Sequence, residues 1–415
     1  MKKVLALFAA LVLFTSSSFA GDLSLPKVKL YGEGSIQSFR IDNMDGDWNL
    51  GGTVGVFTLG AAISLAENVT ASLALGYYNY WGESYGTEGK HISGGGDGYL
   101  NLIRVVEANI ALKNLFDVEG LSAKVGRQFY GDEDSMVMFL GVRNNTATNF
   151  FNMHGWSPAN MIAPITSIEA MTLYYEKENI KANAIYGMFS NQSTGEYNQT
   201  LKGADFKYFN IADMFDAQAY LYSFEHTGYQ YYTIFGLKPT FKYNDFKASI
   251  EFAKNFGGNE IFSNEYANTN FIKLDASYDV KDINLTPRLS YFVGGGEYGK
   301  GFYAPFGNAT PRGLVATALF NNWGDQLFSF YDEAIFNIGA DYKYEKYSFA
   351  LDIFNYNGRD NGDNFNLGNE VDFTVKYAYT DNVSINFIIG HLFMNDDWYN
   401  GTDVSTTQLG VSYKF

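Results

Sequence analysis

The sequence predicts an all-β protein: a transmembrane, antiparallel, up-and-down β-barrel of eighteen strands, with sixteen to twenty as the range the pattern allows. Three observations predict it. The chain ends in Thr406-Thr407-Gln408-Leu409-Gly410-Val411-Ser412-Tyr413-Lys414-Phe415, with Leu409, Val411, Tyr413 and Phe415 on one face and Gln408, Gly410, Ser412 and Lys414 on the other. Similar period-two segments recur along its length, separated alternately by tight turns and by long polar stretches. The composition joins 36 Phe, 32 Tyr and 43 Gly to only 7 Pro, while mean hydropathy stays slightly negative at −0.17. An alternating barrel keeps average hydropathy low and still presents an apolar exterior.

The first twenty residues come first in order. Met1-Lys2-Lys3 is basic, Val4 to Phe14 is apolar, and Ser18-Phe19-Ala20 places small residues before Gly21. This is the three-part pattern of a cleaved signal peptide, so residues 1–20 are expected to be removed and 21–415 to form the barrel. After residue 16 no apolar run is long enough to be a membrane-spanning helix.

Alternation starts at Lys27, with Val28, Leu30 and Ile36 on one side and Lys29, Tyr31, Glu33 and Gln37 on the other, which leaves no room for an N-terminal plug. Tight turns are expected at Glu67-Asn68, Asn114 to Gly120, Lys177 to Asn179, Asn210 to Asp213, Asn244-Asp245, Val280 to Asp282, Tyr344-Glu345 and Thr380 to Asn382. Longer connections are expected near 42–51, 83–100, 131–165, 191–202, 226–230, 257–267, 295–330, 357–369 and 394–403. These connections divide the chain into eighteen strands, an even number with both chain ends on the short-turn side, as bacterial outer-membrane barrels require. Tyr77, Tyr243, Tyr278, Tyr342, Tyr377 and Tyr413 fall near strand ends and read as an interfacial aromatic girdle. The closing strand, with Val411, Tyr413 and Phe415, resembles the signal read by the barrel-assembly machinery, and it is expected to pair with the first strand near Lys27 to Phe39.

Residues on the polar faces are the candidates for function. Lys207, Lys238, Lys242, Lys247, Lys273 and Arg288 face inward from the middle strands, interspersed with Asp205, Glu251 and Asp275. Glu33, Glu107, Asp341, Asp352 and Asp372 are expected to oppose them. Two readings stand: a transverse field that sorts solutes by charge and dipole, or mutual pairing along the wall of a water-filled lumen. Inward Tyr31, Tyr78, Tyr220, Tyr222 and Phe292 suggest a stacking path for sugars.

Arg127 breaks the rule. Alternation from Leu121, Ala123 and Val125 throws it toward lipid, where an Arg costs about 2–4 kcal/mol at mid-depth. Either Gly126 marks a bulge that turns Arg127 into the lumen, which is the favoured reading, or the register differs. The segment Gly126-Arg127-Gln128 followed by Tyr130-Gly131-Asp132 resembles the alginate-export family of outer-membrane barrels. That resemblance implies an eighteen-stranded porin with Arg127 lining the passage. The basic residue and tryptophan expected soon after the Asp are replaced by Glu133-Asp134-Ser135, so the family's substrate does not carry over.

The long stretch 131–165 follows the third upward strand, the position of the porin loop that folds inward. Its Arg143, Asn145, His154 and Trp156 either line a constriction or form a surface lid. A charge of −16 argues against nucleic-acid partners, and the absence of Cys excludes thiol chemistry and Cys-based zinc sites. Four His residues, three of them in or beside loops, give no support to an enzyme, and neither acidic stretch, Asp42 to Asp47 or Asp360 to Asp363, has the full spacing of a calcium loop. No cofactor is expected. The expected function is passive diffusion of small hydrophilic solutes, anions among the candidates, through an outer-membrane porin. A sugar-selective channel, alginate-export-like or maltoporin-like, and a structural or adhesive barrel are the rivals. Expected partners are outer-membrane lipid and lipopolysaccharide, the assembly machinery, and other copies of the chain in a homotrimer.

Overall fold

The computed structural model describes residues 27–44, 48–81, 103–142, 165–190, 198–226, 229–257, 269–295, 302, 313, 315, 332–360, 363–395 and 401–415. Residues 1–20 of the expected signal peptide lie outside this set.

Apolar residues at every second position can be buried or bathed in lipid only if the backbone is extended, so these segments form strands. Among the described residues eighteen strands build one closed wall. Strand β1 comprises Val28–Tyr31 and Glu33–Met44, interrupted at Gly32. It is followed by β2 (Trp48–Ala66), β3 (Val69–Trp81), β4 (Arg104–Lys113), β5 (Leu121–Gln128), β6 (Ile168–Lys177) and β7 (Ile180–Ser190). Next come β8 (Asn198–Ile211), β9 (Phe215–His226), β10 (Tyr229–Tyr243), β11 (Phe246–Gly257), β12 (Asn270–Tyr278) and β13 (Leu285–Gly295). Last are β14 (Asp332–Tyr344), β15 (Tyr347–Asp360), β16 (Asp363–Thr380), β17 (Val383–Met394) and β18 (Val404–Lys414).

Each strand pairs antiparallel with its neighbours in sequence, and β18 returns to β1 with register Glu33↔Lys414 through Asp42↔Ser405. Gly32 N–H donates to the Phe415 carbonyl at 3.1 Å and Phe415 N–H donates to the Gly32 carbonyl at 3.0 Å, closing the seam. The expected partner, Lys27 to Phe39, is therefore displaced upward by a few residues. The short turns fall where expected. In two of them Glu178 and Asn244, each at φ 52°, supply the left-handed residue that a two-residue hairpin needs. Two connections are shorter than expected: β1 reaches Met44 and β2 starts at Trp48, while β15 reaches Asp360 and β16 starts at Asp363. Polar composition there marks strand ends that rise above the lipid rather than loops.

The two faces differ in chemistry. Leu289, Tyr291, Val293, Ile338, Leu351, Phe373, Leu409 and Val411 stand exposed on the outside. A soluble protein does not spread apolar side chains around its whole girth, whereas a barrel in lipid must. No helix among the described residues is long and apolar enough to cross a membrane, so the crossing is made by strands. Aromatic residues cluster outside near the short turns, with Phe215 against Phe241 at 5.2 Å, Tyr347 against Tyr377 at 4.9 Å and Tyr413 against Phe415 at 5.9 Å. Tyr77 differs: it sits within β3, opposite Phe57 at 6.4 Å.

Phe415 both stacks on Tyr413 and supplies two backbone bonds of the seam. Deleting it is expected to lower the yield of heat-modifiable, folded barrel several-fold while leaving the unit conductance of correctly inserted protein unchanged, as measured by gel mobility shift and bilayer recording.

Candidate functional site

Because the outer face is apolar, the alternate residues of every strand must carry the polar chemistry, and the site is the lumen they enclose. Charges on the inner wall are matched to near neighbours. Lys238 reaches Glu251 at 3.1 Å, Lys273 reaches Asp275 at 3.1 Å, and Lys414 reaches Glu33 at 3.1 Å. Lys242 pairs with Asp216, and Lys207 with Asp132. Arg288 is shared: Nε donates to Asp341 at 2.8 Å, and Nη1 and Nη2 donate to Asp352 at 2.7 and 2.8 Å. Asn337 adds a 3.1 Å bond to Asp352. Lys247 stands beside Lys242 across the hairpin, and Asp372 is buried two residues from Glu370.

Of the two readings the sequence left open, mutual pairing along the wall is the one these contacts fit, and the opposed walls do not form. Asp341 and Asp352 lie on β14 and β15, next to Arg288 on β13, because a long basic side chain reaches an adjacent strand about 5 Å away far more easily than the far wall. Such partly exposed pairs each contribute about 0–1 kcal/mol and mainly cancel the transverse field.

Arg127 corrects a second expectation, for it does not line the passage. The register of β5 runs unbroken from Ala108↔Arg127 to Lys113↔Ser122 on one side and from Leu121↔Tyr175 to Gln128↔Ile168 on the other. Gly126 takes a positive φ of 117° without shifting it. Arg127 therefore stays on the outer face near the loop end of β5, where Nη2 meets Glu169 at 2.5 Å and Nη1 donates to the Val105 carbonyl at 2.9 Å. Gln128 is the residue turned inward, fully buried and hydrogen-bonded to the Ala170 carbonyl at 2.9 Å. The irregularity lies instead on β4, between Val105 and Glu107, and it directs both Val106 and Glu107 to the interior.

Tyrosine hydroxyls hold several inward carboxylates. Tyr31 donates to Glu107 at 2.8 Å, Tyr220 to Glu251 at 2.8 Å, Tyr222 to Asp205 at 3.2 Å and Tyr356 to Glu370 at 3.0 Å. To reach, these rings lie along the wall across glycines: a Cβ on Gly60 would sit 2.5 Å from the Tyr31 ring, and one on Gly236 would sit 2.1 Å from Tyr220. Tyr220, Tyr222 and Phe292 are buried, so they do not offer the open stacking path expected for sugars; the side chain of Tyr78 lies outside the described residues.

Both long loops send described residues inward. After β5 the chain forms a small ribbon, Tyr130–Gly131 with Phe139–Leu140, and Met136, Val137, Met138 and Val142 are buried with it. Tyr130 donates to Asp205 at 3.1 Å, and Asp132 meets Lys207. Burial and the Asp205 charge push the Tyr130 hydroxyl upward in pKa, so it remains a donor. From the loop after β13, Phe302 packs edge-on against Phe271 at 4.7 Å. The Gly313 N–H donates to Tyr356 Oη at 2.8 Å, and the Val315 N–H donates to Glu370 at 2.6 Å. The first loop is anchored on β8–β9, and the second on β12 and on β15–β16, the last of these seven strands round the ring from the first. Arg143, Asn145, His154 and Trp156 lie outside the described residues, although the ribbon leading to them is inside the barrel. Tyr356 and Glu370 escaped the sequence reading, yet stepping by two from Asp352 and Asp372 would have placed both inward.

No protein-family model matches the sequence, and no curated protein matches it. Solved structures do resemble its fold. Acinetobacter baumannii OccAB4 is 13% identical with a TM-score of 0.60, covering 93% of this chain and 98% of that one. Pseudomonas aeruginosa OpdK, solved with vanillate, is 10% identical with a TM-score of 0.60 over 93% and 98%. Pseudomonas aeruginosa OccK7 (OpdD) is 13% identical with a TM-score of 0.59 over 94% and 99%. At these identities the likeness establishes the shared barrel fold.

Replacing Arg288 with Gln leaves Asp341 and Asp352 facing each other without their cation. The expected outcome is a loss of about 1–3 kcal/mol in urea unfolding of the detergent-solubilised barrel. Reversal potentials in a salt gradient should also shift toward cation selectivity.

Proposed function

We propose that this protein is an outer-membrane porin through which small hydrophilic solutes, small anions among them, diffuse passively. The observation that carries the reading is a closed barrel, apolar outside and charged inside, with residues from two long loops anchored on separated parts of the inner wall. A structural barrel has no need of a polar lumen lined by paired charges, since a packed apolar interior is simpler to stabilise. The likeness to OpdK, solved with vanillate, supports small solutes as cargo.

Residues 1–20 act as the signal peptide, which brings the chain through the inner membrane. Val411, Tyr413 and Phe415 present the assembly signal to the barrel-assembly machinery. The apolar belt then sits among lipid and lipopolysaccharide, with short turns on the periplasmic side, and copies associate as a homotrimer. Chemistry on a substrate is not part of this reading. The sugar-selective alternative loses its main support because Tyr220, Tyr222 and Phe292 are buried. The alginate-export resemblance rests on a segment whose Arg127 faces away from the passage, so alginate is not proposed as the substrate.

Purified protein in planar bilayers is expected to give stepwise conductance, and a silent bilayer with folded protein would sink the proposal. Saturable block of that current by an oligosaccharide would instead move the reading to the sugar channel. Replacing Glu370 with Ala removes the acceptor that holds Val315 and Tyr356. It is expected to raise both unit conductance and open-channel noise, whereas an unchanged trace would show that this loop does not narrow the pore. Sequencing of the mature N-terminus should begin at Gly21.

A further inference from the structure

One lysine of the inner wall takes its counter-charge from a loop. Strand pairing sets Lys181 opposite Lys207, Lys207 opposite Gln218, Gln218 opposite Lys238, and Glu251 opposite Lys273. These inward residues therefore follow one another across β7 to β12, with strands about 5 Å apart. Lys181, Lys238 and Lys273 each meet a carboxylate carried by a strand: Glu176 at 2.7 Å, Glu251 at 3.1 Å and Asp275 at 3.1 Å. Lys207 instead meets Asp132, from the ribbon after β5. Asp205, two residues along β8, also acts on Lys207 electrostatically, while its oxygens accept from Tyr130, Tyr222 and Asn183.

The ribbon presents Asp132 without sealing it in. Its backbone is fixed from several sides. Met136, Val137 and Met138 are at most 1% exposed. Gly131 has φ 90°, and a Cβ there would sit 2.3 Å from the Met138 carbonyl oxygen, so the turn requires glycine. The Ser135 N–H donates to the Asp132 carbonyl at 3.0 Å, and the Ser135 hydroxyl accepts from the N–H groups of Val137 at 3.2 Å and Met138 at 3.0 Å. The side chain of Asp132 is nevertheless 51% exposed and that of Lys207 21%. Asp134, from the same turn, adds its charge at Lys238, beside Glu251 and Asp275. A solute in the lumen can thus reach Lys207 once the Asp132 side chain rotates, with the ribbon still in place.

We propose that Lys207, with the Gln218 amide beside it, binds small carboxylate anions in transit, and that Asp132 is a tethered competitor which occupies this site between passages. The inference rests on the porin reading above and names a solute class for it. The group to be displaced is a carboxylate on one methylene, so a free carboxylate fits the same place. Exchanging one for the other leaves Lys207 with a counter-charge throughout, and the released Asp132 returns to water. A tether gives Asp132 a standing local concentration against which every solute competes. The charge of Asp205 weakens the hold on either anion further. Weak holding suits a pore, since a solute must leave as readily as it enters.

The test is block of single-channel current by benzoate, a carboxylate bulkier than chloride, in planar bilayers at 0.1 M KCl with folded, heat-modifiable barrel. Asp132→Asn should lower the half-blocking concentration about 2- to 5-fold, the factor a partly exposed ion pair supplies. Lys207→Gln should raise it by at least as much, and Asp132→Asn should then have no further effect. Lys207→Arg keeps the cation and should retain both the block and its response to Asp132→Asn. Benzamide, the uncharged counterpart, should block none of them. A half-blocking concentration unmoved by Asp132→Asn, or moved equally with Lys207 present and absent, would overturn the site while leaving the porin reading in place. So would a conducting channel that benzoate does not block in any variant. Silent folded protein would overturn both.

Discussion

Hydrocarbon offers no partner for a backbone N–H or carbonyl, and everything else in this structure depends on that constraint. Each strand must find both neighbours, so the ring can have no free edge. Closure by β18 on β1 satisfies the last row of donors, with Gly32 and Phe415 exchanging two bonds at the mouth. Once every strand is pinned in register, period-two alternation fixes which side chains see lipid and which see water. The charged lumen follows from the wall's geometry rather than from any single residue.

Inside, the architecture is economical in its use of tyrosine. A flat ring lying against the wall consumes little of the bore, while its hydroxyl adds a donor to a buried carboxylate. Glycine on the intervening strand supplies the space. Neutral donors also tie the loops to the wall: Tyr130 donates to Asp205, and the Gly313 and Val315 N–H groups donate to Tyr356 and Glu370. Apolar contacts then complete each anchor, as Phe302 does on Phe271.

Much of this was legible in the sequence because a barrel writes its plan locally. Leu409, Val411 and Phe415 announce an outer face within ten residues, and turns such as Asn244-Asp245 mark where the chain reverses, so strand number and facing follow by counting. Polar composition misled only at strand ends, where Asp42 and Asp360 extend the wall above lipid. Pairings across strands were not legible. Whether Arg288 meets Asp341 and Asp352 or faces them depends on stagger, which no local pattern records. Arg127 failed for a related reason: the cost of a charge toward lipid depends on depth and on a partner, and Glu169, forty-two residues away, could not be recognised as that partner from spacing.

The seam also has a consequence in time. Gln37 and Gln408 share a hydrogen bond across it, although 371 residues separate them. Interior hairpins form from neighbouring segments, but this contact must wait until the last strand has been synthesised and exported. Until then the growing sheet has two exposed edges and an apolar face, the combination most prone to mispairing with other chains. The final step is therefore an encounter between the two ends of the molecule, and its rate sets how long the unfinished protein remains vulnerable to aggregation and proteolysis.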